Sequence, residues 1–237
     1  MTKQQHRGKN PLDEKLFAPQ EIPKLKEAVR DLSYLYTRNY SEKSAIKIVG
    51  DHYQLRKRQR IAVQRSACSD NSLKKRKESE VDEEELFGKR IYIDGYNILI
   101  TIESMLSGGV LILARDGCIR DMASIHGSYH KVQETIPALN WIGERLPYYD
   151  PAEVNWFLDK PISNSGKLAK LIREISLNFG QKWNVELVDN PDHVLISEGG
   201  IILTSDSWIL DRVSCWFNFI FNSIEFHLSK FWIVDIS

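Results

Sequence analysis

The feature that most constrains this chain is a change of pattern near residue 90, after which short apolar runs alternate with helical segments. The strand-like runs cover residues 90–93, 154–158, 185–188 and 200–203, and residues 166–178 have the apolar spacing of an amphipathic helix. Strands separated by helices of this length are typical of a parallel sheet covered by helices. The sequence therefore predicts an α/β domain over residues 87–237.

The first part of the chain is basic and has a different pattern. Residues 1–77 hold 19 lysines and arginines against 8 aspartates and glutamates. Apolar residues recur there at spacings of three and four in three successive segments, from about residue 21 to residue 67. We expect a small all-helical domain over residues 13–68, placed before the α/β domain.

The third of these helical segments has the charge of a nucleic-acid contact. It carries Arg56, Lys57, Arg58 and Arg60 and follows a short turn after the second segment. This order is that of a helix-turn-helix, and its basic side chains could neutralise phosphates. A helical bundle with a solvated basic face has the same pattern, so both interpretations stay open.

Residues 69–86 join the two parts and contain almost no apolar side chains. Four basic residues at 74–77 precede a stretch, 78–86, with six acidic residues and no basic one. Such a composition favours solvated chain over a packed element. We expect a charged linker here.

Composition also excludes several classes of protein. No run of about 18 apolar residues is present, and the amino terminus lacks the apolar segment of a secretion signal. Cys68, Cys118 and Cys215 are too far apart for a zinc motif and odd in number for a disulfide framework. We expect a cytoplasmic protein with reduced thiols and no membrane partner. The aromatic-rich tail favours core packing, and a homo-oligomer contact through some of its rings is left open.

Three predicted strands are followed by an aspartate. Asp94 and Asp159 come directly after their runs, and Asp206 follows its run after two small polar residues. The carboxyl ends of parallel strands meet at one edge of a sheet, where functional groups gather. Clustered carboxylates are ligands for hard cations, so Mg²⁺ or Mn²⁺ is the expected cofactor. Each aspartate taken singly could instead be a turn or helix-capping residue.

Two short motifs carry a resemblance to a known superfamily. The segment 93–99, IDGYNIL, resembles the first signature of the NYN branch of the PIN-like nucleases, and the segment 203–207, LTSDS, is similar to the later PIN motif. The resemblance implies metal ligation by Asp94 and Asp206 and a site-positioning role for Asn97. It also implies that Asp211 is a further acid of the site.

The layout of residues 20–237 also resembles an uncharacterised protein family in which a helical domain precedes a PIN-like domain. The resemblance implies a PIN-like sheet flanked by helices, with Asp159 at the middle-strand position. It leaves the helix-borne acid of PIN domains unassigned. The alternatives for that place besides Asp211 are Glu103, Asp116 and Asp121.

Two further segments supply candidate substrate contacts. Arg115 and Arg120 could hold a phosphate, with His126 as a proton donor, although a charged surface loop with a core histidine gives the same pattern. A polar run before the predicted helix could bind a phosphate through hydroxyl and N–H groups, or could simply cap that helix. Its residues are Ser163, Asn164, Ser165 and Lys167.

These features lead to one hypothesis and two alternatives. The hypothesis is divalent-metal-dependent cleavage of RNA, with Asp94, Asp159 and Asp206 at the catalytic site. The first alternative is a non-catalytic nucleic-acid-binding or adaptor protein whose PIN-like domain has lost turnover. The second is a small-molecule phosphohydrolase that uses the same acids and the polar run before the helix.

Overall fold

The computed structural model describes residues 6–123 and 129–237, and it is a mixed α/β structure with a helical amino-terminal region. The helices are α1 (Asp13–Leu16), α2 (Ile22–Thr37), α3 (Glu42–His52), α4 (Lys57–Ser66), α5 (Asp70–Ser79), α6 (Gly95–Leu106), α7 (Thr135–Arg145), α8 (Ser165–Ser176), α9 (Pro191–Ser197), α10 (Ser207–Leu210) and α11 (Phe219–Ile224). The strands are β1 (Arg90–Asp94), β2 (Leu111–Leu113), β3 (Ile119–Asp121), β4 (Glu153–Asp159), β5 (Asn184–Val188), β6 (Ile201–Leu203), β7 (Trp216–Phe217) and β8 (Ile233–Asp235). Short 3₁₀ helices cover Pro19–Glu21, Glu83–Leu86, Leu146–Tyr149, Leu177–Phe179 and Glu225–Lys230.

Five strands form a parallel sheet in the order β5-β4-β1-β6-β7. Successive side chains of a strand point to opposite faces, and both faces of this sheet are covered. Ile93 and Trp156 pack in the core that includes α6, α7 and α8, whereas Tyr92 and Phe157 pack against α9 and α10. The predicted parallel sheet flanked by helices is therefore confirmed.

A second, smaller sheet has the order β3-β2-β8 and supports the helical region. Leu25, Val29 and Leu32 of α2 are buried in one cluster with Ile112 of β2 and Val234 of β8. The helical region thus shares its core with strands that come later in the chain.

Residues 69–86 fold differently from the charged linker that their composition predicts. They form α5 and a 3₁₀ helix, and Arg76 is only 3% exposed. The indole Nε1 of Trp216 donates a hydrogen bond to the Arg76 carbonyl at 2.7 Å, and Glu80 forms a β-bridge with Trp216. This stretch is packed because its arginine and its backbone make long-range contacts and two of its few apolar side chains, Val81 and Leu86, join the core.

Most aromatic rings of the tail lie in the core, as the sequence predicts. Trp216, Phe217 and Phe219 are buried, whereas Trp208 and Phe226 are exposed. Within the part of the chain that the structure describes, no helix is long and apolar enough to cross a bilayer.

Candidate functional site

Three of the predicted acids lie at the carboxyl edge of the parallel sheet. Asp94 is the last residue of β1 and Asp159 the last residue of β4, which pairs with β1. Asp206 follows β6, the neighbour of β1 on its other side. The fold therefore brings these three side chains to adjacent strands at one edge.

Asp94 is the buried member of this group, with 8% of its surface exposed. Its Oδ2 accepts a hydrogen bond of 2.7 Å from the Thr204 hydroxyl, which favours the charged carboxylate. Burial acts in the opposite direction and is aided by the negative charges of Asp206, Asp192 and Asp159, so that the pKa of Asp94 is raised to about 8. The site thus concentrates carboxyl groups, and in the free protein Asp94 keeps its proton up to about pH 8.

Asp206 has a structural role in addition to its place in the acidic group. Its Oδ1 caps α10 by accepting hydrogen bonds from the backbone N–H groups of Trp208 at 2.8 Å and Ile209 at 3.3 Å. Its own N–H donates to the Thr204 hydroxyl oxygen at 3.0 Å. Thr204 therefore links Asp94 to the turn that holds Asp206, a contact that the sequence analysis missed.

Asn97 also holds this turn in place. Its Oδ1 accepts hydrogen bonds from the N–H of Ser205 at 2.8 Å and from the Ser205 hydroxyl at 3.0 Å. Asn97 lies in the first turn of α6, directly after β1. One side chain thereby fixes the β6–α10 turn relative to Asp94.

A fourth acid joins this group from α9, and the sequence analysis did not include it. Asp192 is half-buried in the first turn of α9, a helix that contacts both β1 and β4. Burial and the charges of Asp206 and Asp159 raise its pKa. A signal was present, because Asp192 follows the predicted strand 185–188 and lies two residues after Asn190, which caps α9. We call Asp94, Asp159, Asp192 and Asp206 the acidic cluster.

Asp159, the remaining member of the cluster, acts on the buried side chain of Tyr96. Burial raises the pKa of Asp159, which is half-buried. The Tyr96 hydroxyl is buried and has no hydrogen-bond partner among the described residues. Burial and the charge of Asp159 raise the pKa of Tyr96 to about 12. Tyr96 therefore presents a neutral, unused donor near the cluster.

The acids that the sequence analysis considered for the fourth position of the site are bonded to other side chains of the protein. Asp211 accepts from Arg76 Nε at 2.7 Å, and buried Asp116 accepts from Arg76 at 2.6 Å and from Arg120 at 2.8 and 2.6 Å. The carboxylate of Asp121 accepts from Thr101 at 3.0 Å and lies 3.4 Å from Arg65. Glu103 is fully buried and accepts from Arg7, Thr135 and Tyr129. Each of these acids is therefore satisfied without a ligand.

Neither of the two predicted phosphate-binding arginines is free to hold a substrate in this structure. Arg120 is 6% exposed and, besides Asp116, donates to the Ser205 carbonyl at 2.8 Å. Arg115 donates to the Cys68 carbonyl and to Asp70, each at 2.6 Å. Both guanidinium groups are already bonded within the protein, Arg120 to a buried carboxylate and Arg115 to a carbonyl and the exposed Asp70. His126 lies outside the described residues.

The polar run before α8 is partly internal as well. Asn164 adopts a left-handed backbone conformation with φ of 70° before the first residue of α8, and its side chain donates to the Tyr129 carbonyl at 3.1 Å. The Ser165 hydroxyl is bonded to the Lys160 carbonyl at 3.3 Å. Ser163 and Lys167 are exposed. An exposed serine and an exposed lysine thus remain at this helix start for a solute.

The four basic residues assigned to nucleic acid divide into two pairs. Arg56 and Lys57 are exposed at the start of α4. Arg58 binds Asp13 and the carbonyls of Gly8 and Met122, and Arg60 binds Asp51 at 2.7 Å. Arg56 and Lys57 are therefore the members of this set that could meet a phosphate without breaking an internal contact.

The acidic cluster suits a divalent cation by its chemistry. Its members are carboxylates, the ligands that Mg²⁺ and Mn²⁺ prefer, and no described lysine or arginine forms an ion pair with any of them. Among residues 6–123 and 129–237, however, no three acidic, histidine or cysteine side chains are arranged to hold one ion together. An ion here would be bound directly by one or two of these carboxylates and held by the others through water, since Mg²⁺ usually keeps several waters.

A cleft of about 990 Å³ runs beside the cluster and is lined from both halves of the chain. The helical region contributes residues of α2, the α2–α3 turn and α4, including Tyr36, Tyr40 and Arg65. The α/β part contributes Asn97 and Asp206, and the cleft continues along α10. The cleft is therefore an open approach from the helical region to the acidic cluster.

The fold and site define an α/β protein with acidic side chains at the carboxyl edge of a parallel sheet, preceded by a helical region. The chain belongs to the family described as a domain of unknown function (DUF5616), which matches residues 83–222. Residues 24–78 match a second family, described as a protein of unknown function (DUF434). The expected membership of an uncharacterised family is thus confirmed.

A curated relative extends this similarity across most of the chain. An uncharacterized protein of Methanocaldococcus jannaschii, MJ0935, is 34% identical over 186 residues, which cover 78% of this chain and 88% of that protein. No solved structure matches the chain.

Proposed function

We propose that the protein is a PIN-like, divalent-metal-dependent ribonuclease whose active site is the acidic cluster. The observation that carries the proposal is the meeting of Asp94, Asp159 and Asp206 at adjacent strand ends, with Asp192 beside them and no described lysine or arginine paired with any of the four. Like charges held together in this way are stabilised when a cation binds. A bound Mg²⁺ or Mn²⁺ would supply Lewis-acid stabilisation of the phosphate and activation of water.

The chain's own residues would have separate tasks in this reaction. Asp94, Asp159 and Asp206 would hold the metal, with Asp192 as an additional acid, while Thr204 and Asn97 fix the turn that carries Asp206. Arg56 and Lys57 would contact the RNA backbone outside the site, since phosphate neutralisation gives affinity without sequence preference. Ser163 and Lys167 are exposed at the start of α8 and would serve as further substrate contacts.

The proposal is tested by RNA cleavage in the presence of Mn²⁺ or Mg²⁺, with labelled single-stranded and structured RNAs as substrates. Asp94→Asn and Asp206→Asn are each expected to lower the rate by at least about 100-fold, because they remove charge where the transition state needs the metal. Asp189→Asn is the matched control, since Asp189 is an exposed acid three residues before Asp192. Cleavage that is equal in all four proteins would reveal a contaminating nuclease and refute the assignment.

A second candidate function is RNA binding without cleavage. It is favoured by the absence, within the described residues, of three side chains already placed to hold an ion. In that case wild-type protein would bind RNA and show no metal-dependent cleavage. Neutralising Arg56 and Lys57 together would then abolish the binding.

A further inference from the structure

Three aromatic side chains line the cleft between the helical region and the sheet edge. Tyr36 and Tyr40 come from the helical region, and Trp208 comes from α10. Tyr40 is 52% and Trp208 38% exposed, although large aromatic rings are usually buried. The hydroxyl of Tyr36 is buried without a hydrogen-bond partner among the described residues. The cleft therefore offers exposed ring surface to a ligand.

Of these three aromatic residues, Trp208 is the nearest in sequence to the acidic cluster, and its position is fixed by two contacts. Its backbone N–H donates to the Asp206 carboxylate at 2.8 Å. The ring of His193, the neighbour of Asp192, meets its ring edge-on with centroids 5.3 Å apart. A group stacked on Trp208 would consequently lie next to Asp206 and Asp192.

Arg212 adds a positive charge to this ring. Its guanidinium carbon lies 4.2 Å from the centre of the Trp208 ring, and its Nη1 donates to the Trp208 carbonyl at 2.8 Å. The other arginines that line the described part of the cleft bind carboxylates: Arg65 binds Asp121, and Arg76 and Arg120 bind Asp116. Arg212 is exposed and forms no ion pair among the described residues.

We propose that Trp208 and Arg212 form a subsite that stacks one unpaired nucleobase and holds its phosphate beside the acidic cluster. An aromatic ring next to an unpaired cation is the combination that binds a single strand, since every base has a face to stack and every nucleotide a phosphate. A base inside a duplex cannot reach the ring, so the subsite selects single-stranded polynucleotide. We take the ligand class from the proposed function, whereas the subsite does not require cleavage.

The chemistry of the cleft favours a nucleic acid over a protein segment. Besides its arginines and the carboxylates Glu42, Asp121, Asp206 and Asp211, its polar lining consists of hydroxyl and amide side chains, among them Asn39, Ser41, Gln64, Ser69 and Ser72. Protein interfaces have an apolar centre, whereas sugar and phosphate groups need many hydrogen-bond partners. The volume is at the upper end of the range of about 300–1,000 Å³ for ligand sites, which leaves room for more than a single base.

The test is equilibrium binding of fluorescently labelled oligonucleotides to the full chain in EDTA, where cleavage does not interfere. Trp208→Ala is expected to weaken binding of a single-stranded RNA about tenfold, the effect of losing one stacked base. Trp208→Phe keeps a ring and should retain most of the affinity. Arg212→Gln should reduce the dependence of log Kd on log salt by about 0.7, the value for one phosphate contact to a single strand.

Phe226→Ala is the matched control, because Phe226 is an 89% exposed aromatic residue that does not line the cleft. It is expected to leave binding unchanged. Equal affinity of Trp208→Ala and Phe226→Ala, equal binding of duplex and single strand, or no binding of single strands would each overturn the subsite. A single-stranded DNA of the same sequence distinguishes RNA from DNA as the ligand. Weaker DNA binding by Trp208→Ala than by the wild type would support a subsite that accepts either sugar. Tighter binding of RNA than of DNA would indicate an added contact to the 2′-hydroxyl.

This binding experiment, combined with the cleavage assay in Mn²⁺ or Mg²⁺, separates the subsite from the nuclease. Binding that is lost in Trp208→Ala, together with no metal-dependent cleavage by the wild type, would retain the subsite and remove the proposed reaction. Metal-dependent cleavage by the wild type, together with equal RNA binding by Trp208→Ala and the wild type, would retain the proposed reaction and remove the subsite.

Discussion

Asp116 and the acidic cluster both support the β6–α10 turn and have opposite electrostatic surroundings. Asp116 is buried between Arg76 and Arg120. Burial alone would raise the pKa of Asp116, but the charges and hydrogen bonds of Arg120 and Arg76 outweigh it and hold the pKa well below its usual value. In the acidic cluster, burial and neighbouring acids raise the pKa of Asp94 to about 8.

The difference separates acids that stabilise the fold by binding arginines from acids whose carboxyl groups could bind a ligand. Asp116 holds two arginines that in turn bind the backbone of the β6–α10 turn, Arg120 at the Ser205 carbonyl and Arg76 at the Ser207 carbonyl. Among the described residues the acidic cluster has no arginine or lysine partner, so bringing its carboxyl groups together costs stability in the free protein. Under the proposed function, an external cation would supply the missing partner.

The largest effect is expected from Asp116→Asn, which removes the charge and keeps the shape. Two buried guanidinium groups would lose their shared partner, and breaking a buried ion pair in this way costs about 3–5 kcal/mol of unfolding free energy. Urea unfolding measures this loss. Asp94→Asn is the comparison, and it should be neutral or stabilising in metal-free buffer. A loss below about 1 kcal/mol for Asp116→Asn would contradict the structural assignment.

A second, smaller effect separates the two groups by their response to metal. Mg²⁺ or Mn²⁺ at about 100 times its dissociation constant should stabilise the wild type by about 2.7 kcal/mol, because it binds the folded state alone. The melting temperature of Asp94→Asn should respond little, and that of the Asp189→Asn control should rise like the wild type. Equal shifts in wild type and Asp94→Asn would place the ion elsewhere.

The regular elements could be read from the sequence because their signals are local. The predicted strand 154–158 is β4, one residue longer at each end, and the predicted helix 166–178 begins at Ser165 and ends at Ser176. These assignments predicted where the strands end, and they therefore placed Asp94 and Asp159 at the carboxyl ends of two strands. Periodicity decides such features because each depends on neighbouring residues only.

Long-range polar contacts could not be predicted in the same way. Arg76 lies 40 residues from Asp116 and 135 from Asp211, and its segment has the composition of a solvated linker. Nothing in the local sequence distinguishes an arginine that is buried by distant acids from one that is exposed. For the same reason, the sequence could not separate Asp192, which joins the cluster, from Asp211, which does not.

The third prediction concerns pH in metal-free buffer and isolates Asp94. Its pKa in the folded state lies above the usual value of 3.8, so between about pH 4 and pH 8 the folded state holds more protons than the unfolded state. Stability from this group is present at low pH and is lost as the pH rises through about 8. The difference in unfolding free energy between wild type and Asp94→Asn should therefore change by at least about 1.4 kcal/mol, the equivalent of one pKa unit.

Measurements of unfolding by urea at pH 5 and at pH 8 give this difference directly. Asp116 adds no slope in this range, because its pKa is lowered and its contribution is lost only in stronger acid. A difference that stays constant from pH 5 to pH 8 would mean that Asp94 ionises normally and that the cluster is open to water.

The smallest effect decides between Asp192 and Asp211 as the additional acid. Asp192 lies within the electrostatic range of Asp159 and Asp206, whereas Asp211 is paired with Arg76 at 2.7 Å. A carboxylate that acts through water on a bound cation contributes on the order of 1 kcal/mol, roughly fivefold in affinity. Mn²⁺ titration should show this loss for Asp192→Asn and none for Asp211→Asn or Asp189→Asn. The opposite order would mean that Arg76 releases Asp211 when the ion binds, and the two carboxylate groups would then be parts of one site.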